Sequence, residues 1–136
     1  MDFLRSMMVA ASGLKAQSGR MRVIAENIAN AQSTGKRPGE EPYQRKIPTF
    51  KTEFDRQMRV NVVELGKIHK DNTEFELRHQ PGHPAANAEG YVQLPNVNTL
   101  VEAVDMREAQ RSYEANLNVV DATRRMMQRT LDILRG

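Results

Sequence analysis

The sequence predicts a mainly α protein: long N- and C-terminal helices packed as an antiparallel hairpin or coiled coil, with a small irregular β element and an extended segment between them. Three observations carry this expectation. Apolar and small residues recur at alternating spacings of three and four over residues 3–33, and more regularly over 99–135. All six prolines, at positions 38, 42, 48, 81, 84 and 95, fall between those stretches. Short runs of β-forming residues bounded by Gly, Pro and Asn lie in the same middle region. With 136 residues, 29 of them Leu, Ile, Val or Phe, no Trp and a mean hydropathy of -0.65, the chain is one unit without a large core of its own.

The organisation expected is 1–34 as an N-terminal helix, 35–58 as an extended interaction segment, 59–97 as a small β-rich element and 98–136 as a C-terminal helix. The two helices are expected to form one helical domain. In the first, Leu4, Met7, Ala11, Leu14, Ser18, Met21, Ala25 and Ile28 follow the helical rhythm, Asp2 can cap the start, and Ser33-Thr34-Gly35 with Pro38 marks the end. A helix of this length spans about 45 Å, more than a small core covers. Gly13 and Gly19, with Ala10, Ala11, Ser12 and Ala16, offer a face of small residues that a neighbouring backbone can approach closely; alternatively they weaken or kink the helix.

In the middle, PYQRKIPTFKTEF has no clean period and reads as extended chain. RVNVVEL carries Val60 and Val62 on one parity and Val63 and Leu65 on the other, as a bulge or a switch of face would give. TEFEL sets Phe75 and Leu77 on one face, and GYVQLP supplies a third short strand. The last helix has the strongest pattern: Ala103, Met106, Gln110, Tyr113, Leu117, Val120, Arg124, Met127, Leu131 and Leu134 keep a heptad rhythm over more than four heptads. Thr99 and Glu102 have capping-box spacing at its start. Burying one narrow seam does not offset the entropy of ordering a helix this long, so the helices are expected to pair and to leave flanks for neighbouring subunits.

Composition also excludes classes. Net charge is +3, but the excess sits in residues 1–37 (six Lys/Arg against two Asp/Glu), spread over Arg5, Lys15, Arg20, Arg22, Lys36 and Arg37 without interleaved aromatics, so nucleic-acid binding is not expected. There is no cysteine for a disulfide, a thiolate metal site or a nucleophile. His79 and His83 are four apart, yet Pro81-Gly82 between them makes a turn rather than a helical metal site; His69 lies in a polar run at the surface. The carboxylates sit in solvated contexts and Gly35-Lys36 lacks the rest of a phosphate loop, so no enzyme, cofactor or metal is expected. No stretch reaches membrane-span length, and Asp2 and Arg5 interrupt the first residues, so a cleaved secretory signal is not expected.

The run ASGLKAQSGRMRVIAENIANAQSTG, with Asn27-Ile28-Ala29-Asn30 at its helix end and Thr34-Gly35 beyond, resembles the N-terminal signature of bacterial flagellar rod and hook proteins. SYEANLNVVDATRRMMQRTLDIL, with Tyr113, Ala115 and Asn116, is similar to that family's C-terminal helix. PYQRKIPTF and HPAANAEGYVQLPNVN resemble a proximal rod member rather than the hook, the distal rod or the sister proximal rod protein FlgB. One departure is Lys36-Arg37-Pro38 in place of the Gly-aromatic pair of hook and distal-rod members. The resemblance implies a non-enzymatic subunit of the proximal rod, in the periplasm, exported by the flagellar type III apparatus without a cleaved signal. Implied neighbours are the rod proteins FlgB, FlgF and FlgG, the adaptor FliE and the MS ring. Subunit-interface residues are then expected at Leu4, Met7, Ala11, Leu14, Met21, Asn27, Ile28 and Asn30, and at Met106, Tyr113, Asn116, Leu117, Val120, Met127, Leu131 and Leu134. Asn27, Asn30 and Asn116 would satisfy free carbonyls or bond across a subunit contact. The competing class is a soluble helical adaptor or regulator that binds a partner through its coiled-coil seam; it shares the helices but leaves the flagellar motifs without a reason.

Overall fold

The computed structural model describes residues 2–136. Two helices dominate, α1 over Phe3–Ala29 and α2 over Thr99–Arg135, with six short strands between them: β1 (Lys46–Ile47), β2 (Phe50–Asp55), β3 (Val60–Leu65), β4 (His69–Lys70), β5 (Glu76–His79) and β6 (Tyr91–Leu94). The strands form three separate antiparallel pairs, β1 with β4, β2 with β3 and β5 with β6. The expected mainly α architecture with small β pieces is therefore present.

Helix ends follow local chemistry. Asp2 caps α1, its carboxylate accepting from Arg5 N–H at 3.3 Å. The helix stops at Ala29, earlier than the Ser33-Thr34-Gly35 cluster suggested, because Asn30 turns its amide back onto the Glu26 carbonyl (2.8 Å) and its own carbonyl accepts from Ser33. At α2 the expected Thr99/Glu102 capping box does not form. Asn98 is the cap, with its Oδ1 accepting from Leu100 and Val101 N–H (3.0 and 3.3 Å), and the Glu102 side chain is engaged elsewhere. An Asn one residue upstream is the stronger cap, which frees Glu102.

The chain divides into two compact units, and each helix contributes to both. One unit comprises residues 1–21, 49–67 and 107–136. Here the helical segments run antiparallel, with Gly13 facing Asn116 and Arg20 reaching Glu108 at 3.3 Å. A Cβ on Gly13 would stand 2.8 Å from the Asn116 amide, and one on Gly19 2.9 Å from a Leu65 methyl, so both glycines are close-approach positions, and the helix is unbroken through them. The β2–β3 hairpin is regular, from Phe50 opposite Leu65 to Asp55 opposite Val60. No bulge occurs: Val62 is buried on one face while Val63 and Leu65 take the other, which explains the parity change. The partner strand β2 lies where extended chain was expected; its Phe-Thr-Phe against Lys-Glu-Asp alternation was masked by the prolines before it. Asp55 closes the turn by accepting from Gln57 and Met58 N–H at 2.9 Å, and Arg59 takes the left-handed conformation (φ 53°).

The other unit comprises residues 22–48 and 68–106. Val23, Ile24, Asn27 and Ala31 are buried, as are Val92 and Leu94 of β6 and Glu102 of α2. The strand expected over TEFEL is shifted to Glu76–His79, and Leu77 is exposed rather than core, because Val92 and Leu94 occupy the covered side of that pair. Pro81-Gly82 turns as expected, within a longer loop over residues 80–90. His83 Nδ1 accepts from Ala85 N–H at 3.1 Å, His79 packs edge-on against Tyr91 with centroids 5.0 Å apart, and Gly90 takes φ +84° where a Cβ would press on His79 and Pro81.

Candidate assembly surface and a buried polar clamp

Half of each expected seam is half-buried, Met7, Leu14 and Met21 on α1 and Met106, Tyr113, Val120 and Met127 on α2, while the other half lies one residue away from the covered stripe. On α1 the buried positions are Ala10, Ala16, Val23, Ile24 and Asn27, not Leu4, Ala11, Ser18 and Ala25, which are exposed. On α2 they are Glu102, Ala109 and Thr123, with Asn116 half-buried in the same heptad line, while Ala103, Gln110, Leu117, Arg124 and Leu131 face solvent. The reason is steric. Small residues let helical backbones approach, so Ala10, Gly13 and Ala109 take the contact and larger side chains are displaced to its margins.

The residues expected at subunit interfaces separate accordingly. Leu4, Ala11, Ile28, Leu117, Leu131 and Leu134 are exposed; Leu4 retains 59% of its accessible surface, Leu131 54% and Leu134 78%. Met7, Leu14, Met21, Asn30, Met106, Tyr113, Asn116, Val120 and Met127 are half-buried, and Asn27 is fully buried. In the first unit a groove of about 410 Å³ lies between Arg5, Ser6, Val9, Ala10, Asn116 and Val119. Every residue from Arg124 to Gly136 except Met127 is exposed, Ile133 at 78%. Isolated exposed leucines are ordinary; here exposed apolar side chains recur along both helices, Leu4 and Ile28 on α1 and Leu117, Leu131, Ile133 and Leu134 on α2. Asn30 and Asn116 both cap carbonyls of their own helix, Glu26 O and Ser112 O (3.0 Å) respectively.

In the second unit Asn27 uses its whole hydrogen-bonding capacity. Its Nδ2 donates to Lys46 O (2.8 Å) and Glu102 Oε2 (3.1 Å), and its Oδ1 accepts from Lys46 N–H (2.9 Å) and the Tyr43 hydroxyl (2.8 Å). The paired bonds to Lys46 imitate a β-ladder rung and fasten residues 43–46 to α1. Arg45 completes the clamp. Its Nε donates to Glu102 Oε1, its Nη1 lies 3.4 Å from Asp71 and its Nη2 3.8 Å from Asp105. The main chain of Arg45 donates to Asn96 Oδ1 and accepts from Asp71 N–H, both at 2.8 Å. Asn96 Nδ2 in turn donates to Asp71 O and Thr73 O. The end of α1, the start of α2 and the 43–46 and 71–73 segments are thus joined by one network.

Electrostatics follows from that geometry. Burial works against the Arg45 charge, but the Glu102 hydrogen bond and the fields of Glu102 and Asp71 outweigh it and hold the guanidinium above its ordinary value. Asp71 is held below the usual carboxylate value, first by the Thr73 N–H (3.0 Å) and then by Arg45. Burial foremost pushes the Tyr43 phenol up. Sequence reasoning missed Tyr43, Arg45, Asp71, Asn96 and the role of Glu102. The available signal was Tyr-Gln-Arg-Lys held between Pro42 and Pro48, whose resemblance to rod proteins was visible but whose chemistry was not.

Residues 7–35 match the family described as flagella basal body rod protein, and residues 88–133 match the flagellar basal body rod FlgEFG protein C-terminal family. Matches at both ends, on the two helices just described, define the class as flagellar basal-body rod proteins. The flagellar basal-body rod protein FlgC of Agrobacterium fabrum is 49% identical over 128 residues, covering 94% of this chain and 92% of that protein. FlgC of Bacillus subtilis is 40% identical, covering 98% and 99%, and FlgC of Salmonella typhimurium 37%, covering 92% of each. The chain belongs to the FlgC family of flagellar basal-body rod proteins, and its role is that of a structural rod subunit. No helix among the described residues is long and apolar enough to cross a membrane.

Proposed function

We propose that the chain is a non-enzymatic subunit of the proximal rod, built into the periplasm-spanning drive shaft by side-by-side packing of α1 and α2 with the helices of neighbouring subunits. The observation that carries this reading is the line of uncovered apolar side chains, Leu4 and Ile28 on α1 and Leu117, Leu131 and Leu134 on α2. Burying each such side chain contributes about 1.5–3 kcal/mol, and many contacts of that kind sum to a stiff assembly. The half-buried Met7, Leu14, Met21, Met106, Tyr113, Asn116, Val120 and Met127 would form the margins of those contacts. Asn27 and Asn30 act from inside the chain, by fixing the segment that follows α1. The neighbours implied are FlgB and FlgF in the proximal rod, FlgG in the distal rod, FliE and the MS ring, reached by type III export without a cleaved signal.

The test is complementation of a strain lacking this chain. The wild-type gene restores motility and complete basal bodies, and Leu117→Glu combined with Leu131→Glu does not, although the variant is still made and exported. Normal flagella in the deletion strain would instead support an adaptor or regulator, and full motility of the double variant would remove these residues from the interface. Asn116→Leu separates the two roles of that asparagine: unchanged assembly shows that it serves only its own helix.

A further inference from the structure

The last turns of α2 extend beyond the helix they pack against. In the first unit Gly13 faces Asn116 and Arg20 reaches Glu108. Continuing that antiparallel register brings Phe3, where α1 begins, level with Met126. Residues 127–135 therefore project past α1, and from Arg124 onward only Met127 keeps partial cover.

That segment is divided into two halves by its chemistry. At about 100° per residue, Met126, Met127, Thr130, Leu131, Ile133 and Leu134 fall on one half of the helix, and Arg124, Arg125, Gln128, Arg129, Asp132 and Arg135 on the other. Thr130 does not interrupt the apolar half, because its hydroxyl already donates to Met126 O at 2.9 Å. The polar half carries four arginines against one aspartate, and among the described residues none of these five enters an ion pair. Over residues 99–123 the same helix carries two arginines against five acidic residues, so its basic charge is confined to the uncovered end.

We propose that, in the unassembled chain, the end of α2 binds an anionic lipid surface. A helix with one apolar half and one basic half, not apolar enough to cross a bilayer, lies in the plane of such a surface. Leu131, Ile133 and Leu134 enter the boundary of the acyl layer, while the arginines lay their stems along it and hold their guanidinium groups at the level of the lipid phosphates. Charge selects this occupant. An apolar groove would satisfy the leucines alone, whereas unpaired arginines beside them match a surface that is apolar within and negative at its rim. The inference rests on the reading that neighbouring subunits cover this segment only in the rod: lipid and rod helices compete for the same side chains, and assembly displaces the lipid.

Co-sedimentation of the full-length chain with vesicles tests this, comparing pure phosphatidylcholine with phosphatidylcholine containing phosphatidylglycerol. Binding to the anionic vesicles is expected to be at least about tenfold tighter, to weaken with added salt and to raise the helix content seen by far-UV circular dichroism. Arg124→Glu with Arg129→Glu is expected to lower that affinity by at least about tenfold. Arg22→Glu with Arg37→Glu makes the same change of net charge at exposed positions elsewhere and is expected to leave it within about twofold. The chain has no tryptophan, so Ile133→Trp and Gln128→Trp each place a single reporter, one on each half of the helix. On anionic vesicles the emission of the first is expected to shift to the blue and that of the second to stay in place. Failure to bind, equal affinity for the two vesicles, equal loss in the two charge-reversed variants, or equal shifts of the two reporters would overturn the inference. If the chain ignores anionic vesicles while Leu117→Glu with Leu131→Glu still blocks rod assembly, the lipid site falls and the reading of the rod subunit stands.

Discussion

Arg45 and Glu102 set the stability of the second unit residue by residue. Glu102 keeps 1% of its surface and faces the half-buried Arg45 guanidinium. Removing one partner strands the other, so Arg45→Met is expected to cost about 3–5 kcal/mol in urea unfolding followed by circular dichroism, whereas Arg45→Met with Glu102→Leu costs much less. A simple loss of packing would make the two changes additive instead. Asn27→Ala leaves four groups without partners and is expected to be at least as damaging as Arg45→Met. The pH dependence has a definite sign. Because the folded-state value of Asp71 lies below its ordinary one, its contribution is present above the ordinary carboxylate value and is lost as pH falls through the lowered one. Asp71→Asn is therefore expected to lower stability at neutral pH and to flatten the acid limb; an acid limb as steep as wild type would assign it to other carboxylates.

At the scale of elements, the two helices differ along their length. Residues 22–29 and 99–106 are fixed by the clamp, while the end of α2 beyond Arg124 is almost wholly exposed. Amide hydrogen exchange of the dilute chain is expected to show strongest protection in the clamped segments and least over residues 124–135, and circular dichroism to show less helix than the 27 and 37 residues of α1 and α2. Uniform protection and full, cooperatively melting helix would show that the helices need no neighbours. Legibility divides along the same line. Both helices were readable because periodicity is local and repeated, and the start of α2 was located within one residue, Asn98 rather than Thr99 serving as its cap. The contact stripe was half legible: Met7, Leu14, Met21, Met106, Tyr113, Val120 and Met127 lie along its margin, whereas Leu4, Leu117 and Leu131 fall outside it, because they outweigh Ala10, Gly13 and Ala109 in apolar content although the small residues are what permit close approach. The clamp was not readable at all. It joins Asn27, Arg45, Asp71 and Glu102 across the sequence, and no spacing rule connects a proline-bounded loop to the first turn of a helix.

For the molecule as a whole, scarcity of apolar residues and their exposure are one property. A chain with 29 Leu, Ile, Val and Phe among 136 residues places Leu4, Leu117, Leu131, Ile133 and Leu134 on its surface, where the proposed assembly would have other subunits cover them. The clamp gives the chain a fixed local structure, and in the proposed assembly the helices supply the contacts. A subunit-resolution map of isolated basal bodies tests this most directly. The account predicts Leu117, Leu131 and Leu134 buried against helices of neighbouring rod subunits, with Asn27, Arg45 and Glu102 still paired within one chain; leucines facing solvent or the lumen, with the rod held together by the strands alone, would contradict it.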